Sequence, residues 1–250
     1  MPSKQHCRAD ELMVLQGLAS SRSKAGALIM SGKCFIGTRR IDKAGQFIQR
    51  DSVLSVKHPD YPWVSRGGVK LAKAFEVWSL DVYDKICIDL GASTGGFSDV
   101  LLTRGAMHVH AIDVGRGQLH EKLRQSKKIT NHERVNARYL TFDQIGQYVD
   151  VLVCDVSFIG LEKLLPAPMA LVKHGGWLVA LIKPQFQLER GLIGKGGIVR
   201  DHNLHVKACD FVKVSIMQQA DWSVIDIIPS PIKGSNGNSE FLIYGVKSKS

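Results

Sequence analysis

Two aspartates and the glycines between them carry the first chemical signal in the chain. Asp89 lies near the end of the apolar run ICIDL (86–90), the turn GASTGG follows at 91–96, and Asp113 closes the apolar part of HVHAIDVG (108–115). Glycines accept positive φ and let the backbone approach a ligand closely, and a helix starting beyond such a turn offers free N–H groups. The spacing is not the G-x-G-x-x-G of a dinucleotide fingerprint, and the lysine of a phosphate-cradling loop is missing. A carboxylate ending a second strand suits the two hydroxyls of a ribose, which donate to it. A carboxylate at the mouth of the first strand would repel a pyrophosphate and favour a cation. S-adenosylmethionine, with a ribose, an amino group and a sulfonium but no phosphate, meets both conditions. Turn-capping is the alternative reading for each aspartate.

Three further polar residues sit where such a site would need them. Asp155 ends the run DVLVCD, Lys183 ends WLVALIK, and Asn136 follows the region of a third strand. In a doubly wound sheet the carboxyl ends of the strands form the ligand rim, which places Asp155 and Lys183 there. Asn136 is read as a contact to an adenine edge, or else as a turn former.

The elements needed to hold these residues are legible as alternation. Short apolar strands ICIDL, HVHAIDV, DVLVCDV and WLVALIK, and later WSVIDIIP and EFLIYGV, are separated by helical periodicity at 97–104, 161–172 and 203–220. This predicts an α/β fold with a mainly parallel sheet and helices on both faces. The last two strands have no helix-length insert between them and are expected to form a C-terminal antiparallel hairpin. Before this domain, residues 8–32 carry two helical patterns, with Ser20 or Ser21 as N-cap of the second and Gly32 as its stop. The β-leaning pieces CFIG, QFIQ and VLSVK complete a small α+β module. The expected division is 1–60 as one domain, 61–66 as a linker and 67–250 as the second domain; HPDYPW marks the junction.

Charge and composition narrow the partners. The net charge is +10, and residues 1–60 hold ten Lys or Arg against five Asp or Glu, so half of the excess lies in a quarter of the chain. An anionic partner follows, nucleic acid ahead of membrane. Arg22, Lys24, Arg39 and Arg40 are the candidates for phosphate contacts, an ordinary solvated basic face being the alternative. No apolar run approaches the ~18 residues of a membrane span, and the start MPSKQHCRADELM lacks the apolar stretch of a signal peptide, so the cytoplasm is the expected compartment. Five scattered cysteines without a C-x-x-C predict free thiols. His202, His205 and Cys209 share one helical face, a weak metal signal better read as a packed helix; no metal is expected.

An ordered set of motifs then resembles one family. VSRGGVKLAKA (64–74), DLGASTGGF (89–97), DVGRGQL (113–119), NAR (136–138), DVSFI (155–159), KPQF (183–186), GKGG (194–197) and SPIKGSNGNSEFL (230–242) together are similar to the TlyA family of S-adenosylmethionine-dependent ribosomal RNA 2'-O-methyltransferases, some of whose members have been labelled hemolysins. The resemblance implies a small α+β RNA-binding module of the S-four type followed by a methyltransferase domain of the FtsJ/RrmJ group, with a Rossmann-like, mainly parallel, seven-stranded sheet. It also implies a monomer acting on ribosomal RNA or ribosomal subunits, methylating a cytidine, with no stable membrane association. The N-terminal match is looser, with Arg8-Ala9-Asp10 and Phe35-Ile36-Gly37 departing from the usual pattern.

The resemblance also supplies a catalytic set, Lys70, Asp155, Lys183 and Glu240, and a cofactor set, Asp89, Gly91, Ser93, Thr94, Gly95, Gly96, Phe97, Asp113, Asn136 and Asp155. Lys183 is expected to act as base or proton relay, its basicity lowered by a second lysine and by the sulfonium. Lys70 would orient the ribose or phosphate, Asp155 would orient Lys183, and Glu240 would hold a lysine. Gln187 stands where the family often has an acid. The glycine-rich stretch 185–201 reads as a lid. A membrane-acting hemolysin and a non-catalytic ribosome-binding factor are the competing functions.

Overall fold

The computed structural model describes residues 5–57, 61–234 and 236–249. The chain divides into two compact units, Met1–Asp60 and Tyr61–Ser250. Residues 61–66, expected as linker, group with the second unit, while His58, Pro59 and Asp60 of that expected junction lie outside the described residues.

In the first unit, strand β1 (His6–Arg8) leads into helix α1 (Ala9–Leu15), and helix α2 (Arg22–Met30) follows. Ser21 caps α2 by accepting from Lys24 N at 3.3 Å, and Gly32, at φ +71°, turns the chain out of it. Four short strands follow: β2 (Cys34–Ile36), β3 (Arg39–Arg40), β4 (Phe47–Gln49) and β5 (Leu54–Val56). They form a three-stranded sheet in the order β3-β2-β5 and a β1-β4 pair. Met13, Ile29, Cys34 and Ile41 fill its core. Asp10, buried beneath Arg8, accepts from it through both carboxylate oxygens at 3.0 and 2.9 Å, and this pairing holds its pKa below the usual carboxylate value against the effect of burial.

The second unit opens with helix α3 (Gly67–Trp78), which was not among the expected helices. Its pattern is readable in retrospect, because Leu71, Ala74 and Phe75 form one buried face at helical spacing. Strand β6 (Ile86–Leu90), helix α4 (Gly96–Thr103) and strand β7 (His108–Asp113) follow. The remaining strands are β8 (Ile129–Glu133), β9 (Val149–Cys154), β10 (Val172–Ile182), β11 (Trp222–Pro229) and β12 (Phe241–Lys247). The seven-stranded sheet runs β11-β12-β10-β9-β6-β7-β8, parallel from β8 to β10, with β12 antiparallel to both β10 and β11. The expected parallel sheet with a C-terminal antiparallel hairpin is therefore present.

Alternation along the strands separates two cores. Ile88, Leu90, Leu152, Cys154, Leu178 and Ala180 face one layer, which includes the helix His202–Met217. Cys87, Val151, Val153, Val179 and Leu181 face the other, against α3 and α4. Two element boundaries differ from expectation. The helical stretch 161–172 is two short helices, Leu161–Leu164 and Pro166–Ala170, and Val172 already belongs to β10. The helix expected at 203–220 spans His202–Met217. All five cysteines are free and buried; burial pushes the Cys154 and Cys209 thiols up to about 12, so both are inert packing groups.

Candidate active site

Two adjoining cavities open at the carboxyl ends of the strands and share Gly91, Ser93, Asp155, Ser157 and Phe158. The first, of about 370 Å³, holds the charged residues Lys70, Asp155, Lys183 and Glu240. They form one alternating chain. Glu240 Oε2 is 2.7 Å from Lys70 Nζ, Lys70 Nζ donates to Asp155 Oδ2 at 3.3 Å, and Asp155 Oδ1 is 2.7 Å from Lys183 Nζ. Lys183 also donates to Ser157 Oγ at 2.8 Å. Each group comes from a different element: Lys70 from α3, Asp155 and Lys183 from the first positions after β9 and β10, Glu240 from the residue before β12. Lys70 and Glu240 are 6% and 4% exposed. Charges this buried persist only when paired, which the alternation of signs provides.

The second cavity, of about 470 Å³, is walled by Ile112, Val135, Val156, Ile159 and Leu164 and has no Lys or Arg in its lining. Asp113 stands at its edge. One carboxylate oxygen accepts from Ser93 N at 2.8 Å and the other from Gly115 N at 2.7 Å, fixing the side chain while leaving lone pairs for further donors. An apolar slot with a rigid acceptor and no cation fits a nucleoside whose ribose hydroxyls donate, and suits a phosphate poorly. The residues present therefore fit S-adenosylmethionine, whose ribose hydroxyls Asp113 would accept. Asn136 borders this slot while its Oδ1 accepts from Arg138 N at 3.1 Å, so it lines the cavity and caps the short helical turn Ala137–Tyr139 at once.

The glycine turn serves packing at least as much as ligand approach. Gly91 has φ +73°, and a Cβ there would fall 2.7 Å from Asp155 O. Gly95 has φ +94° and lies against Leu119 and Leu123; it is not in the lining of either cavity. A Cβ on Gly96 would sit 2.9 Å from Gly68 N, so α3 and α4 meet there end to end. Ser93, Thr94, Gly96 and Phe97 line the charged cavity.

Asp89 is the main correction. It is wholly buried beneath the turn, faces neither cavity, and its Oδ2 accepts from Ser98 N at 2.9 Å and Ser98 Oγ at 2.7 Å. It thus satisfies a free N–H in the first turn of α4 instead of meeting a cation. Burial raises its pKa from 3.8 to about 7, the Ser98 bonds pulling the other way. The native state therefore binds a proton that the unfolded chain has lost, and its contribution to stability falls as pH rises from about 4 to 7. Asp89→Asn keeps an acceptor for Ser98 and cannot ionise. Thermal melts at pH 5 and pH 8 should show a smaller loss of Tm on raising the pH for the variant than for wild type; equal losses would contradict the assignment.

Sequence reasoning missed several lining residues. Ser157 and Phe158 lie just beyond Val156 after the strand-end Asp155, and that nearness was the available signal. Phe158 is 89% exposed at φ +68°, and its ring lies 5.2 Å from that of Phe186 at the mouth of the charged cavity. Arg66 and Asn236 line the same cavity, without a signal from spacing. Gln187 accepts from Leu161 N at 3.0 Å through its side-chain oxygen, a task a carboxylate would also perform. With Asn238 bonded to both Gly197 O and Val199 N at 2.9 Å, the stretch expected as a lid is tied down at two places. His205 bonds Val199 O at 2.9 Å and Cys209 is in the core.

The four basic candidates of the first unit differ from one another. Arg22 is engaged by Asp10 and Glu11, both at 3.2 Å, and Arg40 by Asp42 at 2.6 Å, while Lys24 and Arg39 are exposed. Arg22 is therefore in part a structural residue.

Comparison with known proteins places the chain in a family. Residues 63–247 fit the model of the FtsJ-like methyltransferase family. The chain is 43% identical to YqxC of Bacillus subtilis, described as a candidate rRNA methyltransferase, over 98% of this chain and 86% of that protein. It is 39% identical to the 16S/23S rRNA (cytidine-2'-O)-methyltransferase TlyA of Mycobacterium tuberculosis, over 96% and 90%. A solved structure from Streptococcus thermophilus, described as a candidate hemolysin, shares 41% identity and a TM-score of 0.75 over 99% of this chain and 90% of its own. With a family model matched over most of its length and relatives of this identity along nearly all of it, the chain belongs to the TlyA family of FtsJ-like methyltransferases.

Proposed function

We propose that the protein transfers a methyl group from S-adenosylmethionine to the ribose 2'-hydroxyl of a cytidine in ribosomal RNA. The observation that carries this reading is the chain Glu240–Lys70–Asp155–Lys183 beside a cation-free nucleoside slot. When bound, the cofactor supplies an electrophilic methyl on a sulfonium. A 2'-hydroxyl is a weak nucleophile, so the chain's own residues must place it in line and remove its proton. Lys183, in its neutral form, takes that proton as the oxygen–carbon bond forms and the carbon–sulfur bond breaks. Asp155 holds Lys183 on one side and Lys70 on the other, and Glu240 keeps Lys70 from swinging into the reacting space. The exposed ring of Phe158, beside the half-buried ring of Phe186, offers a face on which the base of the target nucleotide can stack. The activity described for the Mycobacterium tuberculosis relative, on cytidine of 16S and 23S rRNA, supports the choice of substrate.

The test is transfer of labelled methyl from S-adenosylmethionine to ribosomal subunits that lack the modification. Label should enter RNA with wild type and not with Lys183→Ala; no label in either overturns the reading. Among the described residues no helix is long and apolar enough to cross a membrane.

Residues 1–60 are proposed as the S-four-type RNA-binding domain, with Arg39 and Lys24 as its phosphate contacts and Arg40 and Arg22 contributing from their ion pairs. Binding to ribosomal RNA measured across salt concentrations should show Arg39→Ala weakening affinity, with the log–log salt slope reduced by about 1. An unchanged slope would remove Arg39 from the interface.

A further inference from the structure

Among the polar groups that line the charged cavity, Ser157 is hydrogen-bonded to Lys183, and its geometry bears on the proton acceptor. Lys183 Nζ is tetrahedral and has three positions for hydrogens or a lone pair. Asp155 Oδ1 lies 2.7 Å away, but this is an ion contact without the alignment of a hydrogen bond, and the oxygen has no hydrogen-bond partner. Coulomb attraction of that kind holds the nitrogen in place without fixing its rotation about the Cε–Nζ bond. Ser157 Oγ, at 2.8 Å, meets hydrogen-bond geometry and so sets that rotation. Lys183 is 7% exposed and lines the charged cavity.

We infer that Ser157 is a positioning residue, whose hydroxyl orients Lys183 so that the third position on Nζ faces the reacting 2'-hydroxyl. The inference rests on the reading of Lys183 as proton acceptor. Once Lys183 is neutral, a lone pair directed at Asp155 would be repelled by the carboxylate, so an N–H stays there. The Ser157 oxygen accepts a second N–H, and the lone pair is left pointing into the cavity toward the hydroxyl proton. Without the serine, Nζ rotates and the lone pair spends most of its time elsewhere.

Ser157 is exposed and follows β9 outside the hydrophobic core, so removing its hydroxyl leaves packing intact. Ser157→Ala should lower kcat at saturating RNA and S-adenosylmethionine by about 5- to 10-fold, the share of one hydrogen bond to a neutral amine. Both KM values should stay within about threefold of wild type, because the hydroxyl acts on the transfer step and not on ground-state binding. Ser157→Thr, which keeps the hydroxyl, should recover most of the rate. A Ser157→Ala enzyme within about twofold of wild-type kcat, or a loss that threonine does not recover, overturns the inference. Lys183→Arg, run alongside, separates the two claims. An active arginine variant defeats the base itself, whereas an inactive arginine variant with fully active Ser157→Ala defeats only the role of the serine.

Discussion

Lys183→Ala is expected to reduce methyl transfer by about 10²- to 10⁴-fold, the span of a positioned general base, while leaving the affinity for S-adenosylmethionine close to wild type. The nucleoside slot is built from Asp113 and apolar walls and does not include Lys183, so binding and chemistry should separate. Lys183→Arg sharpens the result. Arginine preserves the positive charge beside Asp155 yet is not deprotonated at any working pH, so a base role predicts loss as complete as with alanine. Retained activity in the arginine variant would instead assign Lys183 to electrostatic support. Equilibrium titration of the cofactor and single-turnover transfer, measured on the same preparations, check both statements.

The second large effect concerns Lys70, where function and stability are tied. Lys70 Nζ is 2.7 Å from Glu240 Oε2 and both side chains are nearly sealed from water. Lys70→Met strands the carboxylate of Glu240, and breaking one half of a buried pair destabilises by about 3–5 kcal/mol. In a chain of this size that corresponds to a fall in Tm of roughly 10 °C for the second unit. Lys70→Met combined with Glu240→Gln removes both charges and should regain most of the lost stability without regaining activity. Thermal melts of the single and double variants test the coupling. A double variant no more stable than Lys70→Met would show that the pair contributes nothing beyond the lysine itself.

How much of this was legible in the sequence depends on whether a residue's place follows from the chain's own periodicity. Asp113, Asp155 and Lys183 end strands that announce themselves as apolar runs, so the rim of the sheet could be drawn before the fold was known. Lys70 and Glu240 gave no such signal, since one sits in the second turn of a helix and the other just before a strand; only the resemblance placed them. Strand β8, ITNHE, was not singled out because an edge strand buries little and keeps polar residues on both sides. Asp89 was read at the right place in the chain and given the wrong task. One residue earlier than the strand's end, it turns inward under the glycine turn, and the period-two alternation of strand side chains is what decides that direction. The glycines themselves were read as room for a ligand, yet Gly91 and Gly96 are required by the backbone of Asp155 and by the start of α3, contacts between elements that no local pattern reveals. Arg22 shows the same limit for charge: the basic excess of residues 1–60 suggested a phosphate contact, while Asp10 and Glu11 already engage it.

The central claim is the identity of the acceptor atom, and the product nucleoside reports it directly. Ribosomal subunits lacking the modification are incubated with the protein and S-adenosylmethionine, and their RNA is digested to nucleosides and resolved by mass spectrometry. The charged chain beside the nucleoside slot predicts that 2'-O-methylcytidine appears with wild type and is absent with Lys183→Arg. Methyl found on a base, or 2'-O-methylcytidine formed equally well by the arginine variant, would contradict it.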